Sequence, residues 1–596
     1  MTIEEKLKKL RAYMAENNID AVIIPSSDAH QSEYSARCFA MREWISDFTG
    51  SAGTVVVTAS HAGVWVDSRY FIQCEKEIEG TEYVMHPLVV QTAAEWVTWI
   101  AENMTSGQTV GIDGRVFSLA SAGDIRSTLS SKGIKLALDF CAGNVWEDRP
   151  SMPTAPVYIH DIKTAGESAV DKISAIRTFL RANRADAIVI DALDEVAYTL
   201  NIRGADVACN PVTYAYLAIS DTRAILFIDE VKLSAEVKQY LASIDVEVRP
   251  YGAIEDWLKE GKEGDVLCVD AGKFSAYHRE LLSDDVMVKN VTSPVAMAKC
   301  VKNSAEIEGM NRAMLKDAVA LTEFFRRVET EAVERGYDEA DIAAMIGEIR
   351  RKQEGYITES FGAIVGYKEN GAIVHYRPEK GVAKKIEGSG MILIDTGGQY
   401  KDGTTDITRV WYIGEPSDEE KRAYTAVLKA HIAIERLVFP AGYSGPQLDS
   451  IARKEMWAYH LNYGHGTGHG VGAAMNVHEG PVSFGNKGIP VGVPMQEGMI
   501  VSDEPGYYKT GGYGIRIENC VLIEKKHENE LGEWLGFKYL TLCPIETRLI
   551  DMDMMKDEEI EWLNAYHADV MAKVLPLVEG EDAQWLATKC APLYRK

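Results

Sequence analysis

The sequence has no long apolar run, no closely spaced cysteine pair and a deficit of basic residues. No stretch approaches the roughly 18 consecutive apolar residues of a membrane-spanning helix, so we expect no membrane span. The N-terminal segment, MTIEEKLKKLRAYMAENNIDAVIIP, is amphipathic and lacks the apolar core of a signal peptide. The 9 cysteines are scattered without a CxxC motif, which predicts reduced, mostly buried thiols in a cytoplasmic protein rather than a disulfide framework or a zinc knuckle.

Acidic residues outnumber basic ones, 89 to 63, which gives a formal net charge of −26. A surface this acidic repels nucleic-acid phosphates and anionic membranes, so we expect neither as a partner. General solubility accounts for much of such a charge, but carboxylates can also be gathered to hold cations.

The 596 residues are too many for one hydrophobic core and predict roughly three to five domains. Two early segments resemble each other, KLKKLRAYMAENNIDAVIIPSSDAH and KISAIRTFLRANRADAIVIDALDEV. Each has an amphipathic helix, a polar turn and a strand rich in Ala, Val and Ile. Such units are common and the similarity can arise by chance, but we interpret it as a duplicated α/β domain, with RPSMPTAPV as the linker. The predicted fold class is therefore α/β (α+β), with segments 1–157, 158–300, 301–535 and 536–596.

A first pair of carboxylates belongs to a predicted hairpin in the third segment. The strand-like runs MILID and TDITRVWYI flank QYKDG, which has turn chemistry. The midpoint between Asp395 and Asp406 falls in that turn, so a simple hairpin places the two carboxylates opposite each other, with Cβ atoms about 5 Å apart. Like charges directly opposite each other destabilise a sheet, so we expect positive charge between them.

A second pair occurs in MIVSDEPGYYKTGGYGIRIENCVLI. Gly511, in the Gly-Gly turn, is the midpoint between Glu504 and Glu518, so these carboxylates also meet across a hairpin if no bulge intervenes. One such pair can be a solvated edge or a hydrogen-bonded site. Two pairs, each in an otherwise apolar strand, favour a site built around cations.

Several histidines lie near these hairpins. His465 and His469, in NYGHGTGHGVGAAMNVHEGP, have the spacing of a helical metal motif, but the surrounding glycines disfavour a helix. They predict a strand or loop that approaches other backbone closely, in which both imidazoles can face one site. His478 follows in the same segment, and His375 precedes the first hairpin in GAIVHYRP. Any one of them can be an ordinary hydrogen-bonded residue; together with four carboxylates they favour a site.

Four carboxylates and one imidazole form an oxygen-rich site that suits hard or borderline divalent ions. Four negative charges call for two divalent cations, and two metals roughly 3.5–4 Å apart can share a hydroxide that attacks a polarised carbonyl. This chemistry is hydrolysis. Other nucleophile systems find little support, because the sequence has no GxSxG elbow and no recognisable Cys-His motif.

These residues resemble the aminopeptidase P group (Xaa-Pro aminopeptidases) of the pita-bread metallopeptidases. The contexts of that family's five ligands are similar to DTGGQY, TTDITR, GTGHGVG, DEPGYY and RIEN, which supply here Asp395, Asp406, His469, Glu504 and Glu518. WISDFTGSAGT and VDSRYF are similar to the family's first domain, and NIRGADVACNPVTYAYL to its second. The resemblance implies two creatinase-like domains (1–157 and 158–300), a pita-bread catalytic domain (301–535) and a C-terminal extension (536–596).

The resemblance also implies how the ions are held. Asp395 holds one ion, His469 and Glu504 hold the other, and Asp406 and Glu518 bridge the two. Glu504 is in addition the proton shuttle to the leaving amine. Mn²⁺ is the expected ion, with Zn²⁺ and Co²⁺ as alternatives.

Four further catalytic residues are implied in the same way. His375, His465 and His478 match histidines that line the substrate site, with His375 and His478 as stabilisers of the transition state, and Arg516 balances the charge. The three-domain layout with an extension is that of the long, cytosolic-type enzymes, which implies a homodimer. The implied substrates are peptides with proline at the second position.

Four rival functions remain at this point. Prolidase has the same ligands but cleaves dipeptides and normally lacks the duplicated half, and methionine aminopeptidase has them in a far shorter chain. Creatinase uses the fold without metals. A catalytically inactive pita-bread binding module is the alternative from another class, and we expect such a module to have lost ligands.

Overall fold

A computed structural model describes residues 1–90, 93–262, 264–485 and 492–595. The chain divides into two compact units, Met1–Met297 and Ala298–Lys596. All 9 cysteines are free, and they lie buried or half-buried, as the sequence predicts. No helix within the described ranges has both the length and the apolar character needed to cross a membrane.

The first unit begins with an α/β domain around a six-stranded sheet. Its strands are β1 (Ala21–Ile24), β2 (Thr54–Thr58), β3 (Ala62–Val66), β4 (Val84–Pro87), β5 (Thr109–Gly111) and β6 (Lys135–Ala137). Its helices are α1 (Ile3–Glu16), α2 (Met41–Ser46), α3 (Phe71–Glu77), α4 (Glu95–Asn103) and α5 (Leu119–Ser130). Successive residues of β1 face opposite sides: Val22 and Ile24 belong to the core that contains α1, and Ala21 and Ile23 to the core that contains α4 and α5. The continuous apolar run of β1 follows from this two-sided burial.

A second domain of the same kind follows. Its strands are β7 (Tyr158–Ile159), β8 (Ala187–Ile190), β9 (Ile202–Arg203), β10 (Ala215–Ser220), β11 (Ala224–Ile228), β12 (Val246–Arg249), β13 (Val266–Val269) and β14 (Met287–Asn290). Its helices are α6 (Ile162–Ala165), α7 (Ala169–Asn183), α8 (Leu193–Thr199), α9 (Ala235–Ser243), α10 (Ala253–Lys259), α11 (Ala276–Leu281) and α12 (Pro294–Cys300).

The two sheets share one topology, which confirms the predicted duplication. Their strand orders are β4-β3-β2-β1-β5-β6 and β12-β11-β10-β8-β13-β14. In both, the central strand pairs antiparallel with the first strand of a hairpin and parallel with a later strand. Each sheet contains one such hairpin, β2–β3 in the first and β10–β11 in the second.

The second unit carries both carboxylate hairpins. Its strands are β15 (Tyr356–Glu359), β16 (Ile364–Tyr367), β17 (Gly390–Thr396), β18 (Gly398–Tyr400), β19 (Gly403–Thr404), β20 (Ile407–Ile413), β21 (Val438–Pro440), β22 (Ile500–Asp503), β23 (Gly506–Lys509), β24 (Tyr513–Arg516), β25 (Asn519–Asn529) and β26 (Gly532–Tyr539). Its helices are α13 (Ser304–Glu331), α14 (Glu339–Arg350), α15 (Asp418–Glu435), α16 (Gly445–Trp457), α17 (Asp557–Val574) and α18 (Gly580–Lys589). The boundary expected between residues 535 and 536 falls inside β26, which pairs with β21 and β25.

The second hairpin (residues 500–529) has the predicted register. Asp503 pairs with Asn519 on one side of the glutamates, and Gly506 pairs with Arg516 on the other. These pairs keep one register without a bulge, so Glu504 lies opposite Glu518.

The first hairpin (residues 390–413) differs from the prediction. Tyr400 pairs with Gly403, so the turn centres one position later than expected, and Asp395 lies opposite Thr408 rather than Asp406. Asp406 immediately precedes β20 and is the diagonal neighbour of Asp395 on the same face. The physical reason is a contact with α13, because Arg312 Nε and Lys316 Nζ donate to the Asp402 carboxylate at 3.1 and 3.2 Å and hold the turn there.

The first hairpin leaves no room for a side chain at Gly397. A Cβ there would lie 2.0 Å from Thr405 O and 2.2 Å from Ser360 Oγ. We expect Gly397→Ala to force the strands apart, at a cost of about 1–3 kcal/mol, and to lower the melting temperature of the second unit in thermal denaturation. Gly123→Ala in α5 is the matched control, because a Cβ there meets nothing within 4 Å. Equal melting temperatures for the two variants would contradict the close approach.

Candidate metal centre

Three of the five predicted ligands form one compact group. Atoms of Asp406, His469 and Glu518 that could bind a metal all lie within 4.8 Å of one another. His469 Nε2 lies 3.4 Å from Asp406 Oδ2 and 3.5 Å from Glu504 Oε1, which brings in the fourth group. Asp395 joins through Arg516, whose guanidinium Nη2 is 2.5 Å from Asp395 Oδ2 and whose Nε is 4.0 Å from Glu504 Oε2.

His469 lies on an extended segment, as the glycine content predicts. Ser502 N donates to His469 O at 2.8 Å, and Glu504 N donates to Thr467 O at 2.8 Å, so the segment runs along β22 like a further strand. A Cβ on Gly468 would lie 1.9 Å from Ser502 O. Glycine is therefore required for this approach, which brings the imidazole to the strand that ends at Glu504.

The ring of His469 is oriented by its own backbone neighbour. Nδ1 lies 2.9 Å from Gly470 O, and because a carbonyl only accepts, Nδ1 carries the proton and donates. Nε2 therefore faces the carboxylates, and its lone pair becomes available to a metal once its proton is lost. This is the usual arrangement of a metal-ligating histidine.

A hydrogen-bonded chain beside the carboxylates includes two residues that the sequence did not single out. Thr408 Oγ1 donates to Glu518 Oε2 at 2.7 Å and accepts from Arg516 Nε at 3.0 Å. Tyr508 OH accepts from Arg516 Nη1 at 2.7 Å and lies 2.7 Å from His465 Nε2. The only local signal for Tyr508 is its place in DEPGYY, and the signal for Thr408 is its alternation with Asp406 along the strand.

The remaining three histidines differ in how closely they contact the site. The ring of His478 lies edge-on to that of His469, with centroids 4.2 Å apart. His465 reaches the site through Tyr508. His375 lies on the half-buried turn between β16 and β17. Its role at the site stays a prediction.

The charged groups of this site shift one another's pKa values. Burial, with the charges of Asp406 and Glu504, raises the pKa of Asp395 to about 7 despite the guanidinium of Arg516. Burial and the same carboxylates raise the pKa of Glu518 well above its ordinary value. Burial lowers the pKa of His469, but the hydrogen bond and charge of Asp406 and the charge of Glu504 outweigh it and raise that pKa to about 9. The site therefore demands positive charge.

The residues fit a pair of divalent ions. Asp395 Oδ1 is buried and has no hydrogen-bond partner among the described residues, so one carboxylate oxygen is left for a cation. The four carboxylates and Arg516 carry a formal charge of −3, which a single divalent ion does not neutralise. Oxygen donors with one imidazole suit Mn²⁺, Zn²⁺ or Co²⁺ better than they suit a soft ion.

A buried ion pair supports the first hairpin from behind. Arg350 Nε donates to Asp317 Oδ1 at 2.7 Å, and its Nη1 donates to Thr396 Oγ1 at 2.7 Å. Asp317 Oδ2 accepts from Thr405 Oγ1 at 2.9 Å. Thr396 and Thr405 are the sequence neighbours of Asp395 and Asp406, so the pair fixes the backbone on which both carboxylates stand.

Models of four protein families match successive parts of the chain. Two Creatinase/Prolidase N-terminal domain models match residues 6–137 and 148–306. Metallopeptidase family M24 matches residues 308–525, which include both hairpins. The C-terminal region of peptidase M24 matches residues 533–593.

Similar proteins match over nearly all of this chain and most of their own length. Aminopeptidase P2 of Arabidopsis thaliana is 40% identical over 100% of this chain and 89% of its own. A probable Xaa-Pro aminopeptidase P of Aspergillus niger is 39% identical over 99% of this chain and 98% of its own. The crystal structure of X-prolyl aminopeptidase from Caenorhabditis elegans, described as a cytosolic enzyme with a di-nuclear active site, is 32% identical with a TM-score of 0.94, covering 100% of both chains. On this full-length similarity, the chain belongs to metallopeptidase family M24, in its aminopeptidase P group.

Proposed function

We propose that the chain is a two-metal Xaa-Pro aminopeptidase that releases the first residue of peptides whose second residue is proline. The observation that carries this proposal is the convergence of two carboxylate pairs and His469 in a chain similar to such enzymes along its whole length. The same full-length similarity favours it over prolidase. An inactive binding module finds no support, because the sequence keeps all five residues proposed as ligands.

In this proposal Asp395 would hold one ion, His469 and Glu504 would hold the other, and Asp406 and Glu518 would be shared between the two. When bound, the ions supply a nucleophile at neutral pH and polarise the scissile carbonyl. We propose Mn²⁺ as the native ion, with Zn²⁺ or Co²⁺ as alternatives, because four oxygen donors accompany one imidazole.

The accessible side of the site is the side of Glu504 and His469. Their side chains are 19% and 20% exposed, whereas that of Asp406 is 4% exposed. A peptide can therefore reach Glu504, which we propose passes a proton to the leaving nitrogen. His478, edge-on to His469, and His375 would stabilise the transition state, and His465 would line the substrate site through its link to Tyr508.

Arg516 is proposed to balance the charge between the carboxylates. We further propose a cytoplasmic homodimer, after the long cytosolic-type relatives, and the four-segment division 1–157, 158–300, 301–535 and 536–596. Neither nucleic acid nor a membrane is proposed as a partner, since the chain carries a net charge of −26.

Removal of metal should abolish peptide cleavage, since the protein groups alone provide too little positive charge for the site. Dialysis against a chelator followed by return of Mn²⁺ should remove and then restore release of the first residue. Mg²⁺ and buffer alone serve as controls. Full activity in protein shown by elemental analysis to be free of metal would exclude the two-metal mechanism.

Substitution of His469, in GTGHGVG, and of His465, immediately before this segment, should affect metal binding differently. His469→Ala should reduce bound metal per chain as well as rate, because Nε2 faces the carboxylates. His465→Ala should keep both ions and lose rate, because its Nε2 bonds to Tyr508 OH instead. Metal content and initial rate are measured on the same preparations; equal metal loss in the two variants would contradict the assignment.

The substrate should be recognised at its free end and at proline. The nitrogen of an Xaa-Pro bond carries no hydrogen for backbone recognition, so the ammonium end must pair with the acidic site. We expect cleavage of Xaa-Pro-Yaa and longer peptides, little cleavage of Xaa-Ala-Yaa, and no cleavage of peptides with an acetylated N-terminus. Chromatography of the released residue measures the cleavage. Faster cleavage of Xaa-Pro dipeptides than of tripeptides would identify a prolidase. Release of N-terminal methionine regardless of proline would identify a methionine aminopeptidase.

A further inference from the structure

The backbone of the proposed bridging ligand Glu518 is held by a buried arginine. Arg409, on β20, donates from Nη1 to Glu518 O at 2.6 Å and to Thr408 O at 3.0 Å. Its side chain is almost fully buried. One guanidinium therefore fixes the main chain beside both hairpins, on the side away from the carboxylates.

The other donors of Arg409 reach the C-terminal region matched at residues 533–593. Nη2 lies 2.9 Å from Cys543 O and 2.9 Å from Tyr566 OH, and Nε donates to Pro544 O at 3.1 Å. Tyr566 is buried on α17, and its hydroxyl lies 2.9 Å from Cys543 O, to which it can donate. The hydroxyl thus accepts a hydrogen bond from Arg409 and can donate one to Cys543 O, which also lies in the C-terminal region.

The side chain of Asn519, the residue after Glu518, also belongs to this hydrogen-bond network. Its Oδ1 accepts from Arg409 Nη2 at 2.9 Å, and its Nδ2 donates to Glu435 Oε1 on α15 at 2.8 Å. Side chains alternate along a strand, so Asn519 faces this network while Glu518 faces the carboxylate site. Glu518 is therefore anchored through its own carbonyl and through its neighbour.

We infer that Tyr566, acting through Arg409, is a positioning residue for Glu518, and that the C-terminal region is in this way part of the construction of the metal centre. This inference rests on the proposed function to the extent that Glu518 is a metal ligand. Without the hydroxyl, Nη2 of Arg409 keeps two of its three acceptors, Cys543 O and Asn519 Oδ1, but the buried N–H of Cys543, 3.3 Å from the hydroxyl, loses this acceptor. The segment that Arg409 binds at Cys543 O and Pro544 O then shifts, and the guanidinium moves with it and takes Glu518 O along. Groups that orient metal ligands typically change metal affinity by 10–100-fold.

Tyr566→Phe tests the inference, because it removes the hydroxyl and keeps the ring. Tyr424→Phe is the matched control: Tyr424 is a buried tyrosine of the same unit whose hydroxyl takes no part in the Arg409 hydrogen bonds described above. Trp562→Phe is the packing control, since Trp562 stacks on Tyr566 with centroids 5.4 Å apart and an interplanar angle of 8°.

Full-length protein stripped of metal is titrated with Mn²⁺ by calorimetry, and the dinuclear signal is recorded by electron paramagnetic resonance. The melting temperature of each stripped variant is measured alongside. We expect Tyr566→Phe to weaken Mn²⁺ binding by about tenfold or more and to alter the spectrum while its melting temperature stays near that of wild type. Tyr424→Phe should keep wild-type affinity, and Trp562→Phe should lose melting temperature without a matching loss of affinity.

Two results would overturn the inference. One is wild-type Mn²⁺ affinity and spectrum in Tyr566→Phe. The other is a loss of affinity that follows the melting temperature equally in Tyr566→Phe and Trp562→Phe, which would make the region a general support of the fold. If wild-type protein itself binds no Mn²⁺, the proposed function fails instead, and the two failures are thereby distinguished.

Discussion

Mutual repulsion among four closely placed carboxylates, three of which are buried, is the constraint on which the catalytic unit depends. Burial is the larger cause, and together with this repulsion it raises the pKa of Asp395 to about 7 and that of Glu518 well above its ordinary value. Carboxylates this close are stable only with positive charge between them. Arg516 supplies one such charge from the second hairpin, and His469 faces the same carboxylates. The remaining demand is what makes the site suited to divalent ions.

Such repulsion would push the strands apart unless the backbone were held from the other side. Behind the first hairpin, the Arg350–Asp317 pair binds the side chains of Thr396 and Thr405. Behind the second, Arg409 binds the carbonyl of Glu518. Arg409 also binds the side chain of Asn519, so in both cases the network includes side chains adjacent to a carboxylate in sequence. Strand alternation turns such neighbouring side chains to the opposite face. One face of each hairpin thus carries the carboxylates, and the opposite face holds the backbone in position.

Asp503 and His431 form a polar cluster behind the second hairpin, and burying these groups costs free energy. Asp503 is fully buried, and burial with the charge of Glu504 raises its pKa well above the ordinary value. His431 Nδ1 lies 2.9 Å from Asp503 Oδ2, and among the described residues neither atom has a partner in hydrogen-bond geometry. A buried polar network of this kind is high in energy unless every member is satisfied.

The sequence by itself determined the duplication, the glycine-dependent extended segment of His469 and the register of the second hairpin, because alternation and a central Gly-Gly turn are local properties. It did not determine the register of the first hairpin. There the turn is set by Asp402, which α13 holds through Arg312 and Lys316, nearly a hundred residues away. The chain from Arg516 through Tyr508 and the link between Arg409 and Tyr566 were likewise decided only by the tertiary structure. Hydrogen bonds between residues this distant in sequence leave no periodic or compositional signal, since each partner is chosen by packing rather than by its neighbours.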